Sequence, residues 1–216
     1  MKALITNAVM TLLDDQIVNT TEKSVIDEVY GLIPSGYLFL QDGVISALGP
    51  MSALQGDMAT NTAMNHLDVT IDANGKLLTP ALIDCHTHIV YGGHRALEFE
   101  LRLNGASYAE VAKAGGGIVS TVSATRSQTV EQLVEGALAR VDALIAEGVS
   151  LIEVKSGYGL DIKTELRMLR AARAIEDARP VRVITSFLGA HAMPPDEDRS
   201  PAVSYTHLTL PTIYSV

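Results

Sequence analysis

The pattern of apolar and polar positions changes character once along the chain, near residue 76. Before that point the apolar runs are short and strand-like. Residues 4–12 alternate well enough to predict a strand, and two further runs, 36–40 and 44–48, flank Gln41-Asp42-Gly43. An Asp-Gly pair between apolar runs predicts a hairpin, because both residues tolerate positive φ. Val69-Thr70-Ile71 followed by Asn74-Gly75 gives another strand and turn. Residues 1–76 are therefore expected to form a small all-β subdomain.

After residue 76 a helical period alternates with short β-rich runs. Residues 77–81 read as a connection into a buried strand, Leu82-Ile83-Asp84-Cys85-His86-Thr87-His88. Ser107 can cap a short helix that stops at Gly115-Gly116-Gly117. Thr129 and Gln132 have capping-box spacing and open a helix with Leu133, Ala137, Val141 and Leu144 on one face. Gly148 ends that helix, and 149–154 is the next strand. Asp161 can cap another helix running through Leu166, Leu169 and Ala172, followed after Pro180 by a strand over 181–187. Strands alternating with amphipathic helices imply βαβ units and a parallel sheet. About three strands fit, whereas a closed (β/α)8 barrel takes about 250 residues. The expected fold class is α/β: an incomplete (β/α)8 TIM barrel over 77–198, preceded by the β subdomain. Residues 200–216 carry two prolines, no helical or strand period, and no charge except at His207, and with Arg199 they make up the segment 199–216. They are read as a non-native tail from a frameshift or assembly error; a real, loosely ordered terminus is the alternative.

Composition narrows the class. The chain has 216 residues, 47% hydrophobic and 19% charged, as in a soluble globular protein. A net charge of −9, from 16 basic against 25 acidic residues, argues against a nucleic-acid partner. No apolar run reaches the roughly 20 residues that cross a bilayer, and the run after Lys2 is closed by Asp14-Asp15 rather than by a cleavage site. With Cys85 the single cysteine, no internal disulfide is available. A cytoplasmic protein with no membrane partner is expected.

The candidate chemistry sits on the predicted strand at 82–88. Asp84, His86 and His88 are spaced i, i+2, i+4, so on a regular strand they share a face. Two neighbouring imidazoles suit a Zn or Fe ion; a hydrogen-bonded core or surface histidine pair is the alternative. The longer strings are more specific. Leu82-Ile83-Asp84-Cys85-His86-Thr87-His88 resembles the first barrel strand of the amidohydrolase superfamily. Its continuation from Ile89 to Tyr108, with Ala114-Gly115-Gly116-Gly117-Ile118, Glu153-Val154-Lys155-Ser156-Gly157-Tyr158-Gly159-Leu160 and Phe187-Leu188-Gly189-Ala190-His191, resembles the imidazolonepropionase branch. The resemblance runs from the N-terminus to about Asp196 and stops. Ala81 departs from it, standing where the superfamily often has glycine.

That resemblance implies one divalent metal ion, Zn or Fe, with His86 and His88 as two ligands. It implies hydrolysis of 4-imidazolone-5-propanoate to N-formimidoyl-L-glutamate in histidine degradation. The family's third histidine ligand, its aspartate ligand and its catalytic glutamate come from later strands and have no counterpart here; His207 is no substitute. This chain by itself is expected to be truncated and inactive, with a homodimer for the full-length form. Three more positions carry over to a small-molecule substrate with a carboxylate arm. Arg95, in Gly-Gly-x-Arg, offers a planar fork for the carboxylate; a surface arginine is the alternative. Tyr158, between two glycines, can donate to a substrate oxygen, or else is packed. His191 is the catalytic candidate, able to bind the ring or assist proton transfer, or else is structural. Lys155 is expected in an ion pair or hydrogen bond, Cys85 in the core and His94 in an exposed loop. Tyr108 either approaches the substrate or packs at a helix start. The competing readings are another cyclic amidohydrolase, a nucleobase deaminase, or a non-catalytic metal-binding half-barrel.

Overall fold

The Asp42-Gly43 turn forms as its residues dictate, with φ of 52° and 82°. The computed structural model describes residues 1–11, 31–107, 110–111 and 116–194. The expected tail at 199–216, His207, Tyr108 and Gly115 lie outside the described residues. By contact the chain divides into a unit ending at Pro80 and one beginning at Ala81.

In the first unit the turn joins β2 (Ile33–Gln41) to β3 (Val44–Pro50), and β2 pairs antiparallel with β1 (Lys2–Met10). β4 (Val69–Asp72) and β5 (Leu77–Leu78) both lie parallel to β1 on its other edge. They are separated by the Asn74-Gly75 turn, whose residues also take positive φ. Leu77 and Leu78 thus pair with Val9 and Met10 rather than leading into the barrel strand. A short helix not expected from the sequence, α1 (Leu54–Thr60), follows β3. Leu4, Tyr37, Phe39 and Met64 form the core, with Leu54 and Met58 of α1 packed against it. The Tyr37 hydroxyl donates to Asp57 of α1. Burial, and then that carboxylate, push the phenol up to about 12.

In the second unit three parallel strands, β6 (Leu82–Thr87), β7 (Val149–Lys155) and β8 (Arg182–Ser186), lie in the order β6-β7-β8. Between β6 and β7 come α2 (Ala96–Leu103), α3 (Ile118–Ser127) and α4 (Val130–Ala146); α5 (Ile162–Ala178) connects β7 to β8. Thr129 and Gln132 exchange both capping-box bonds at α4, and Asp161 accepts from the Thr164 N–H at α5. Each such cap contributes about 1 kcal/mol. Leu133, Ala137 and Val141 of α4 meet Met168, Ala171, Ala172 and Ile175 of α5 over Val149, Ile152, Val154, Val181 and Val183 of the sheet. This is the incomplete parallel barrel expected, preceded in the chain by a β-rich subdomain.

Three expectations need correction. β6 is not a buried strand: Leu82 and Ile83 are 56% and 64% exposed, because β6 is an edge strand whose one paired neighbour among the described residues is β7. For the same reason Cys85, expected in the core, is exposed. Gly117, in the glycine run expected to stop a helix, takes φ of 76° and is the N-cap from which α3 begins. Ser107 does exchange cap bonds with Glu110. Among the described residues no helix is long and apolar enough to cross a membrane.

Candidate functional site

The site residues gather where the three parallel strands end, the edge at which open α/β sheets and barrels build their sites. His86 is the penultimate residue of β6 and His88 lies one residue beyond it. Strict alternation does not hold between Asp84 and Thr87, where an extra β6 residue shifts the register against β7. Thr87 turns inward and donates to the Glu153 carbonyl at 2.7 Å, while the Asp84 carboxylate accepts the His86 N–H at 3.2 Å. The two imidazoles nevertheless come together, with ring centroids 5.5 Å apart and planes tilted by 55°.

His88 is the hub of the cluster. Its ring lies 5.6 Å from that of Tyr158 and 5.2 Å from that of His191. Tyr158 and His191 stand edge-on to each other at 5.8 Å. Burial, reinforced by His191, His86 and Lys155 nearby, pushes the His88 imidazolium pKa down. Neutral imidazole, the form that binds metal, is favoured. His88 Nδ1 is buried with no hydrogen-bond partner, an unmet demand that a bound ion or another donor set would answer. The chemistry of the pair fits a metal, but only in part. Among the described residues no group of three or more His, Cys, Asp or Glu side chains is placed to hold an ion. His191 is exposed and near His88 without completing such a group.

The other expected residues are distributed around this hub. Arg95 and Tyr158 line one cavity of about 310 Å³ together with Tyr91, His94 and Thr121. Arg95 Nε donates to Thr121 Oγ1 at 3.0 Å. Lys155 is ion-paired to Glu153 at 2.5 Å, and Ser186 donates to the same carboxylate. Lys155 first, and then Ser186, hold the Glu153 carboxyl below the usual range. His94 is exposed, and its Nδ1 accepts the Ala96 N–H at 3.4 Å.

Several residues of the site escaped sequence reading. Tyr91 meets Tyr158 edge-on at 6.1 Å. Arg140 of α4 covers the Tyr91 ring at 4.1 Å and donates to the Ile89 carbonyl at 2.9 Å. Gly92 lies so close to α3 that a Cβ there would fall 2.6 Å from the Ala124 carbonyl oxygen. Tyr91 and Gly92 lay inside the quoted motif without a role. Nothing in the local sequence marks Arg140 or Thr121, whose contacts are 26 residues or more away in the chain.

No family model matches the chain. Among curated proteins, the imidazolonepropionase of Roseobacter denitrificans is 54% identical over 213 residues, 98% of this chain and 49% of that protein. That of Ruegeria pomeroyi is 62% identical over 167 residues, 77% and 40% of the two chains. That of Agrobacterium fabrum is 54% identical over 181 residues, 84% and 42%. The chain thus spans about half the length of the curated relatives it matches. Among solved structures, E. coli guanine deaminase superposes with a TM-score of 0.51 at 13% identity, over 87% of this chain and 36% of that one. The 5-methylcytosine deaminase of Klebsiella pneumoniae gives 0.50 at 20% identity, over 86% and 35%. At such identities these two speak for the fold alone.

Proposed function

We propose that this chain, a relative of the imidazolonepropionases over about half their length, carries the first metal ligands and the substrate grip of a hydrolase. The reaction is hydrolysis of the cyclic amide of 4-imidazolone-5-propanoate to N-formimidoyl-L-glutamate. The observation that carries this reading is the convergence of the His86 and His88 rings at 5.5 Å, with Tyr158 joining His88 to the cavity that Arg95 lines.

His86 and His88 would hold one divalent ion, Zn or Fe; when bound, such an ion activates water and polarises a carbonyl. A catalytic zinc site takes three protein ligands, so further ligands have to come from outside the described residues. Arg95, steadied through Nε by Thr121, presents its two terminal nitrogens to the propionate and fixes the ring's orientation. The Tyr158 hydroxyl donates to a substrate oxygen. His191, 5.2 Å from His88, binds the ring or moves a proton during ring opening. The exposed free thiol of Cys85 suits a reducing, cytoplasmic setting.

The test uses a protein that contains this chain at the full length of its relatives. Stripped of metal and reloaded with Zn²⁺ or Fe²⁺, it is expected to consume imidazolone propionate. His86→Ala and His88→Ala should each abolish stoichiometric metal retention. Arg95→Met should raise KM for the propionate substrate far more than it lowers kcat. Metal retention unchanged in both histidine variants would overturn the reading.

A further inference from the structure

The loop that carries Tyr158 closes around a buried charge. Glu165, in the first turn of α5, is 0% exposed. Its Oε2 accepts the Gly157 N–H, and its Oε1 accepts the N–H groups of Gly159 and Leu160, all at 2.7 Å. Three charge-assisted hydrogen bonds compensate a carboxylate that would otherwise be costly to bury. The backbone bends to deliver them. Gly157 takes φ of 122° and Leu160, a non-glycine residue, takes 56°. Around the turn there is no slack: a Cβ on Gly159 would come within 2.8 Å of the Glu165 backbone nitrogen, and one on Gly157 within 3.0 Å of His191 Cβ. Gly157 therefore seats the loop directly against the turn that carries His191. On the outer side, Arg126 donates to the Gly159 carbonyl at 2.8 Å.

Tyr158 is flanked on both sides by residues whose N–H groups the carboxylate holds. With its neighbours fixed, its half-buried ring packs against the apolar core and stands 5.6 Å from His88, 5.8 Å from His191 and 6.1 Å from Tyr91. An acidic residue in a helix's first turn ordinarily faces solvent and answers the helix dipole. Here its side chain is turned inward and spent on the preceding loop. We propose that Glu165 is a positioning residue for the site: its carboxylate sets the 156–160 loop, and through it holds the Tyr158 ring against His88 for ligand binding. The role in ligand binding rests on the reading of this cavity as a substrate site.

Glu165→Gln is the discriminating substitution. Gln keeps the shape, and its oxygen can go on accepting from Gly159 and Leu160. The new NH2 group then faces the Gly157 N–H, donor against donor, and releases the seat against His191. In the wild-type chain, ring-to-ring nuclear Overhauser contacts between Tyr158 and His88 are expected. They should vanish in E165Q while the amide spectrum of α5 persists; contacts that survive would overturn the proposal. The second readout is the affinity of imidazole-4-propionate in the metal-loaded full-length protein. E165Q should weaken it at least tenfold with zinc stoichiometry unchanged. Thr129→Ala, which loosens α4 without touching this loop, should leave it unaltered. Equal weakening in both variants would reduce Glu165 to general stability and sink the idea, as would lost ring contacts with full probe affinity. Failure of the wild type to bind the probe would defeat the substrate-site reading and with it the ligand-binding role. The ring contacts would still report the loop geometry separately. If E165Q does not fold, hydrogen exchange on the wild type decides. The Gly157, Gly159 and Leu160 amides should exchange as slowly as those inside α5, and fast exchange would count against the carboxylate cradle.

Discussion

The two faces of the β6–β8 sheet are cut from the same strands but are used in opposite ways. Toward α4 and α5, Ile152 and Val154 of β7 and Val183 of β8 are buried in a continuous apolar layer. On the other face, Leu151, Glu153 and Lys155 alternate with them on β7, and Ile184 of β8 is 50% exposed. The packed face gains about 1.5–3 kcal/mol for each large side chain fully withdrawn from water. The open face gains little of this, and carries the Glu153–Lys155–Ser186 cluster and, at its C-terminal edge, the histidines. On β7 and β8 the packed layer and the polar cluster are thus segregated by period-2 alternation, whereas the β6 histidines reach their edge through a shifted register.

Substitutions of matched size on the two faces break or sharpen this contrast most directly. Ile152→Ala, which opens a cavity in the packed layer, is expected to cost about 2–5 kcal/mol. Ile184→Ala on the open face should stay within about 0.5 kcal/mol. Chemical denaturation of the two variants measures both. Equal losses would mean that the open face is also covered. Next in size is Gly92→Ala. The added methyl would fall within 2.8 Å of three Ala124 and Thr125 backbone atoms, where no side chain can swing away. A loss of about 1–3 kcal/mol is expected, together with displacement of the loop that carries Arg95. A variant as stable as wild type would show that this loop is not fixed by its approach to α3.

What was legible in the sequence follows the same division. The Asp42-Gly43 hairpin, the Thr129–Gln132 box and the Leu133–Ala137–Val141 stripe are local signals for local structure, and each is present. The proximity of His86 and His88 was legible as well, although the register shift between Asp84 and Thr87 means that simple alternation was not the reason for it. Burial was not legible on β6, because an apolar run reads the same on an edge strand as on a central one; Cys85 and Ile83 fell to that ambiguity. α3 was missed since Ile118-Val119-Ser120-Thr121-Val122 is rich in β-branched residues with low helix propensity. Glu165 could not be singled out, because an inward-turned carboxylate and a solvated one look alike in sequence.

Smaller effects test the packed side from its rim. Thr129→Ala removes one half of the α4 capping box and should cost about 1 kcal/mol, read as a lower melting temperature with the sheet intact. Smaller still is the loss of the ion pair that ties α4 to the residue after α5. Arg179 Nε and Nη2 donate to the two Asp142 oxygens at 2.5 and 3.0 Å. The hydrogen bond from Arg179 holds the Asp142 carboxyl below its usual range. A lowered folded value means that the pair's contribution is fully present above the ordinary carboxylate pKa of about 3.9. It is lost as pH falls through the lower folded value. Asp142→Asn should therefore melt slightly below wild type by the same small margin at pH 7 and pH 5, and the two should converge in stronger acid. Because the pair is solvent-exposed, added salt should narrow that margin too. A difference as large as that of Ile152→Ala would mean that α4 and α5 are held by charge rather than by the apolar layer beneath them, and one that grows as the pH falls would mean that the ion pair is not its source.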